Sequence, residues 1–328
     1  MILVSFCIPT YNRFDELCVT LESFICQGIK LDPIEIVVAD NSSTDDRYLS
    51  LMSTYSNLIP NLSYFRHTQN IGGDKNFFFA LSNGRGKYLK LWNDTLVLRK
   101  GALQHMLSAV SFGVVNIDCP LFCNGLPTTR LQIDSLEHAA DSLKFYITHI
   151  QYFGIWRADL PSADVFDSAV ELKLPHVSAM LFLVANHSCS FSIINDIFWD
   201  KKVPVNGTDD YDQIQIFLFN LLSLYERYGL SSASISYRRL RDYTVCYFCA
   251  PWIIAYLRSF SRFGADTNAS FKKLLKITIY CALRPFLAFK LFLSITYFLI
   301  KYTSEKSFIR SPALHGWLSL SAFLLPHG

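Results

Sequence analysis

Residues 34–45 read IEIVVADNSSTD. Together with Pro33 ahead of it, the segment 33–39 is a short, nearly continuous apolar run, and it stops abruptly at Asp40, Asn41, Ser42, Ser43, Thr44 and Asp45. An apolar run of this length bounded by turn formers is the pattern of a buried strand running into a polar loop. Upstream, residues 2–8 form a similar run closed by Pro9, and Leu17, Leu21, Phe24 and Ile25 recur at helical spacing between the two. Downstream, the pattern predicts a helix over 46–56, a strand over 62–66, and a helix over 75–81 after Gly72-Gly73. A strand over 87–92 then leads to Asn93-Asp94-Thr95, followed by a helix over 101–110 and a fifth strand over 114–119. Strands alternating with helices imply an α/β fold with a mostly parallel central sheet flanked by helices. Ligands in such sheets bind beyond the carboxyl ends of the strands, where each of these polar clusters falls.

The bulk numbers agree with a packed enzyme-sized domain. Of the 328 residues, 51% are apolar, enough for a substantial core. The net charge of +3 argues against a general nucleic-acid binder. That charge is unevenly placed: residues 251–310 hold ten Lys or Arg against Asp266 and Glu305, leaving 20 basic and 25 acidic residues elsewhere. The nine cysteines are odd in number and scattered through apolar segments, as expected of buried thiols in a reducing compartment. Cys246 and Cys249 form one CxxC with no second pair to complete a zinc site. The apolar start lacks a basic leader and runs straight into Pro9-Thr10-Tyr11-Asn12-Arg13, so no signal peptide is expected and the chain is expected in the cytoplasm.

Three polar clusters can carry chemistry. Asp40, at a strand end, can hydrogen-bond a base or ribose edge, or simply close an Asx turn. Asp94 is the one carboxylate between 88 and 98; it is placed to hold Mg²⁺ or Mn²⁺ against a diphosphate, or is an ordinary turn aspartate. Gly72-Gly73-Asp74-Lys75-Asn76 opens a helix, whose exposed amides attract anions, unless it is a plain tight turn.

The clusters in combination resemble the family 2 glycosyltransferases, which share the GT-A fold. The blocks that carry the resemblance are VSFCIPTYNR (4–13), IEIVVADNSSTD (34–45), NIGGDKN (70–76) and GKYLKLWND (86–94) leading to Gly101-Ala102-Leu103. The resemblance implies that Pro9, Thr10, Tyr11 and Arg13 line a nucleotide pocket, that Asp40 contacts base or ribose, and that Asn93 lies on the donor. It also implies that Lys75 and Asn76 stand where the family has an Arg-Asn pair and that Asp94 contacts the metal, Mg²⁺ or Mn²⁺. Thr95 and Leu96 depart from the family, because further acidic residues are common there. The later chain resembles one branch, the bacterial O-antigen transferases similar to abequosyltransferase, at Leu174-Pro175-His176-Val177 and at Asn206-Gly207-Thr208-Asp209-Asp210.

These likenesses imply an enzyme that moves a sugar, with inversion, from a nucleotide-sugar donor to a hydroxyl of a polyprenyl-diphosphate-linked oligosaccharide in surface polysaccharide synthesis. Residues 1–245 would form the GT-A domain, with 1–120 as the nucleotide-sugar-binding half and 121–245 as the acceptor side. Inverting members need a carboxylate base. The candidates are Asp164, Asp167, Glu171, His176, Asp209 and Asp210, with Asp210 and His176 ranked first. Two other readings stand beside this one. A nucleotidyltransferase expects a Gly-rich basic loop after the first strand, which is absent here. A catalytically silent scaffold of the same fold is kept open by the sparse carboxylates after Asp94.

Residues 246–328 read as a helical, aromatic and basic extension. At about 100° per residue, Lys273, Lys276, Arg284, Lys290 and Lys301 share an arc of roughly 120°, opposite Ile277, Leu283, Leu287, Leu291 and Phe298. Pro285 is expected to kink or split this helix. The longest charge-free run, 291–300, is too short to span a bilayer. The extension is therefore expected to lie on an anionic membrane surface, the cytoplasmic face of the inner membrane, or else to pack against the domain.

Overall fold

The computed structural model describes residues 1–116, 119–124, 132–186, 190–201, 212–251, 253, 275–281 and 283–305. They divide into two compact units, Met1–Leu240 and Arg241–Gly328; the sequence reading places its boundary after residue 245.

In the first unit the strands in chain order are β1 (Val4–Thr10), β2 (Ile34–Asp40), β3 (Leu62–Arg66), β4 (Tyr88–Leu91), β5 (Leu96–Leu98), β6 (Cys119–Cys123), β7 (Gln132–Ile133), β8 (Gly154–Trp156), β9 (Phe191–Asn195) and β10 (Trp199–Lys201). The helices that matter for the site are α1 (Phe14–Ile25), α2 (Leu51–Tyr55), α3 (Gly73–Ser82), α4 (Ala102–Asn116), α5 (Leu136–Ser142), α6 (Ala163–Asp167) and α7 (Pro175–Ala185). The main sheet has the order β3-β2-β1-β4-β8. Its first four strands are parallel and β8 runs antiparallel to β4. Every residue of β1 and β2 is buried. Strands covered on both faces lose the alternating pattern, which is why these segments read as unbroken apolar runs.

Two charged residues inside this core are satisfied locally. Glu35 accepts from Ser5 Oγ at 2.6 Å and from Arg85 Nε at 2.6 Å. Lys90 Nζ donates to the carbonyls of Gln151 and Phe153, and burial pushes its pKa down to about 7.

The expected fifth strand is corrected. The chain through Asn116 is helical, the end of α4, and the strand is Cys119–Cys123. It belongs to a separate sheet of order β6-β9-β7, while the fifth member of the main sheet, β8, comes from a region without a clear sequence pattern. A short apolar run does not tell a buried helix end from a strand, because both hide the same side chains.

In the second unit, Thr244–Cys249 forms a π-helical turn and a helix spans Pro285–Glu305. A short helix ends by Cys281 and the next begins at Pro285, so the expected split occurs; proline is tolerated in a first helical turn, where its missing N–H has no partner to lose. Part of the expected apolar face is corrected. Ile277, Leu287 and Leu291 are buried, but Leu283 is 76% exposed and the outward face carries Phe286, Phe289, Phe292 and Leu293. Lys290 Nζ lies 2.7 Å from Asp242, and Arg284 covers the Tyr280 ring at 4.1 Å. Lys273 lies outside the described residues, and those give no side-chain account of Phe298 or Lys301. Among the described residues no helix is long and apolar enough to cross a membrane.

Candidate active site

The parallel register brings three strand ends to one edge. Thr10, the last residue of β1, is paired with Asp40, the last of β2. On the other side of β1, Cys7 pairs with Leu91 and its carbonyl accepts from Trp92 N at 2.8 Å. The chain leaves β4 there through Asn93 and Asp94. Asp40 and Asp94 therefore occupy the same rim, separated by the β1 terminus.

Asp94 is the centre of this rim. It is 1% exposed. Its Oδ1 lies 3.2 Å from Arg13 Nη1, and its backbone carbonyl accepts from Thr20 Oγ1 at 2.9 Å. Its other oxygen, Oδ2, is buried with no hydrogen-bond partner. Burial raises the carboxyl pKa and outweighs the opposing pull of Arg13 and of the Thr10 hydroxyl. Thr10 also meets Tyr48 Oη at 3.0 Å, and the same hydroxyl accepts from Arg13 N at 3.0 Å. Tyr48 thus fixes both residues that face Asp94. Tyr11 is 43% exposed, at the mouth of the site. Asn93 accepts from the backbone and side chain of Thr95, holding the turn that carries Asp94.

Asp40 is fully buried and closes its own loop. Oδ1 accepts from Ser43 N at 2.8 Å, Oδ2 accepts from Tyr64 Oη at 2.7 Å, and Arg66 Nε is 3.6 Å away. The turn-closing geometry is realised, and contact with a base or ribose needs one of these partners to yield. Asn12 couples this loop to the end of β1, donating its N–H to Ser43 Oγ and accepting from Thr44 N at 2.8 Å each.

Asn76 and Lys75 divide the work at the start of α3. Asn76 is 1% exposed; its Nδ2 donates to Ala39 O at 2.8 Å and its Oδ1 meets His67 Nε2 at 3.0 Å, pinning the first turn of α3 to the end of β2. Lys75 is exposed beside it. Gly72, with φ 88° and ψ 148°, makes the turn ahead of this helix. Asp74, which the sequence reading gave no role, is a buried carboxylate 3.5 Å from Lys173 Nζ.

Residues outside the sequence reading complete the site: Tyr48, Tyr64 and Arg66. Arg66 pairs in register with Asp40 at the end of β3, so the strand-end rule applied one strand further would have found it. The two tyrosines carry no local signal.

His176, ranked with Asp210 as a candidate base, is enclosed. The ring is 2% exposed, Nε2 meets the Thr148 carbonyl at 3.0 Å, and Phe77 and Phe153 pack edge-on against it. Burial pushes its pKa down to about 4. A base must stand within hydrogen-bond distance of the proton it takes, so His176 would need its enclosure to open before it met an acceptor hydroxyl. Asp209 and Asp210 lie outside the described residues. Asp164, Asp167 and Glu171 are exposed, on or just after α6.

The donor set for a cation is small. Among the described residues no group of three or more His, Cys, Asp or Glu is arranged to hold a metal. The unpartnered, buried Asp94 Oδ2 nevertheless fits Mg²⁺ or Mn²⁺ of the kind held by one carboxylate, with substrate phosphates and water supplying the remaining ligands. Cys246 and Cys249 are buried thiols with raised pKa values, suited to packing rather than ligation.

Comparison with known proteins falls on the same segment. Residues 5–158 match the model of Glycosyl transferase family 2. Over 102 residues the chain is 37% identical to the abequosyltransferase RfbV of Salmonella typhimurium, a stretch making up 31% of this chain and 30% of that protein. The match thus spans under a third of the length of that curated relative. The crystal structure of S. aureus TarS superimposes with a TM-score of 0.50 at 19% identity, covering 76% of this chain and 43% of TarS. TarS 1–349 in complex with UDP-GlcNAc gives 0.52 at 17%, covering 78% and 80%. The mannosyltransferase PcManGT of Pyrobaculum calidifontis, in complex with GDP-Man and Mn²⁺, gives 0.50 at 16%, covering 94% and 88%. At these identities the likeness to the solved structures is one of fold. The strand-end rim and the family match coincide, and the chain carries, over residues 5–158, a family 2 glycosyltransferase domain of GT-A fold.

Proposed function

We propose that the protein transfers a sugar, with inversion, from a nucleotide-sugar donor to a hydroxyl of a lipid-linked glycan, in the synthesis of a bacterial surface polysaccharide such as O-antigen. The observation that carries this reading is the shared rim, where Asp40 and Asp94 flank the end of β1 with Thr10 and Arg13 between them. The nucleotide would lie along Pro9, Thr10, Tyr11 and Asp40. Its diphosphate would face Arg13 and Asn93, with Lys75 and the opening turn of α3 as a second positive edge. Mg²⁺ or Mn²⁺, when bound at Asp94, supplies positive charge for the departing diphosphate. Arg13 is already aimed at that position, and a preorganised cation in a water-poor site stabilises developing charge without having to reorganise. Asp210 is the proposed base; the acceptor hydroxyl would be deprotonated on the face of the sugar opposite the leaving group. The abequosyltransferase relative supports the O-antigen part of this reading.

The second unit supports a membrane location. Phe286, Phe289, Leu293 and Tyr297 follow one outward helical stripe and are all exposed, in a stretch of chain rich in Lys and Arg. This stripe would lie on an anionic bilayer at the cytoplasmic face of the inner membrane, beside a polyprenyl-diphosphate acceptor.

The test is a panel of nucleotide sugars with Mn²⁺, scored first by thermal stabilisation and then by nucleotide release. One donor should stabilise the protein and be slowly hydrolysed without acceptor, and both effects should be lost in Asp94→Ala. If no nucleotide sugar shifts the melting temperature, the domain is a silent scaffold and the reading fails.

A further inference from the structure

The opposite edge of the sheet holds a second opening. Lys87 stands just before β4 and Trp156 pairs with Tyr88 at the end of β8, so both lie at the amino edge of β4 while Asp94 lies past its carboxyl edge. A cavity of about 630 Å³ opens there, lined by Arg85, Lys87, Gly113, Trp156, Arg157 and Asp159 among others. Ligand pockets run from about 300 to 1,000 Å³, so this one accommodates more than a single ion. All of its lining residues belong to the first unit.

The chemistry of the walls is specific. Arg157 N donates to Lys87 O at 2.8 Å, which fixes the two cation-bearing residues side by side. Both side chains are exposed, and among the described residues neither forms a salt bridge. Arg85 differs, because its guanidinium is committed to Glu35 at 2.6 Å. The Trp156 indole, which lines the same cavity, is only half-buried and packs edge-on against Tyr88 at 5.5 Å. Gly113 contributes only backbone to the facing wall. An aromatic ring in the same cavity as two exposed cations that form no salt bridge among the described residues suits a ring with an apolar face and an anionic substituent, with the Asp159 carboxylate in the same lining to be kept clear of the anion.

We propose that this cleft binds an anionic saccharide, a glycan bearing carboxylate or phosphate. One sugar ring lies on Trp156 and its charged group meets Lys87 and Arg157. The cleft stands at the opposite end of β4 from the transfer rim, at least about 13 Å away at about 3.3 Å per residue over that four-residue strand. It would hold a distal part of the acceptor or product away from the reacting end. The class of ligand rests on the sugar-transfer reading; the geometry of the cleft does not.

The experiment titrates the full chain, without donor, with tetragalacturonate, with its methyl-esterified counterpart and with inorganic phosphate. Binding is followed by calorimetry and tryptophan fluorescence. The charged tetrasaccharide should bind at least about tenfold more tightly than the neutral ester, and the pair Lys87→Glu with Arg157→Glu should abolish that binding. Trp156→Ala should weaken it about tenfold, with partial rescue in Trp156→Phe. Equal binding of the ester, full displacement by an equimolar amount of inorganic phosphate, or unchanged binding in the charge-reversed variant would each overturn the proposal. Stabilisation by UDP or GDP is measured on the same samples. If it persists in the variants, they are folded and a null result at the cleft counts against the cleft alone. If no nucleotide stabilises the wild type, the failure lies at the donor rim instead.

Discussion

Asp94 keeps one oxygen for Arg13 and leaves the other buried without a partner. An unsatisfied buried acceptor costs about 1–3 kcal/mol, so the folded protein holds a strained group at the point where the proposed chemistry needs one. Asp94→Asn should therefore lower donor turnover by about 100-fold or more, the scale of losing one preorganised electrostatic group. Its melting temperature should hold or rise, because the buried charge is gone. Nucleotide release and calorimetry measure the two. Full turnover in Asp94→Asn would remove Asp94 from the mechanism. His176 offers a different test. Its folded pKa of about 4 lies below its ordinary value of 6.5, so between these pH values the unfolded chain holds a proton that the folded one excludes. Stability is then lost as pH falls from 6.5 to 4, by about 3 kcal/mol at full extent. Thermal melts of wild type and His176→Gln across that range should diverge in slope, with the variant flatter. At this scale Asp40 and Asp94 were legible as carboxylates at strand ends, and Thr10 and Arg13 through the family resemblance. Tyr48 was not, because its contacts with Thr10 and Arg13 span more than 30 residues of sequence.

Among the elements, α3 depends most on a single residue. Gly72 holds φ 88° and ψ 148°, a region open in practice only to glycine, although space around its Cα is free. Gly72→Ala should cost about 1–3 kcal/mol from backbone strain alone. It should also weaken nucleotide stabilisation, because the turn sets where Lys75 and Asn76 begin. Denaturant unfolding and the donor panel give both readouts; a variant with unchanged stability would show that the turn has other conformations to use. Strands β1, β2 and β4 were readable because they are buried along their whole length and so read as mostly apolar runs, while the partly covered β3 is marked by its short length and bounding turns. The expected fifth strand falls on the end of α4 because a short apolar run such as 113–115 fits a helix end as well as a strand. β8 is three residues long, too short for a period to show, and it is recruited by pairing with β4.

For the molecule as a whole, the distribution of exposed apolar surface makes the membrane proposal testable. Phe286 is 85% exposed, Phe289 61% and Phe292 64%, three large rings on a single helix of the second unit. Binding to anionic liposomes should be measurable by co-sedimentation at low salt and should fall as ionic strength rises, since screening shortens the reach of the basic residues. The pair Phe286→Asp with Phe289→Asp should reduce binding by at least about tenfold, because it removes the inserted apolar area and adds repulsion. Retention of donor hydrolysis in that variant would separate the membrane contact from the catalytic rim. Liposome binding that is absent in the wild type, or insensitive to both changes, would remove the membrane from the proposal.

The order of apolar runs and turn clusters determined by itself that the amino-terminal part of this chain is a parallel α/β sheet with polar clusters at its carboxyl edge. Burial on both faces and the handedness of the crossovers leave such a pattern few other folds. Tertiary structure alone decided which partners each polar group meets: Asp94 with Arg13, Asp40 with Tyr64 and Arg66, and His176 enclosed among rings. It also decided which face of the carboxyl-terminal helix turns outward. Periodicity records that a side chain is apolar, but whether it is covered depends on neighbours far away in the chain.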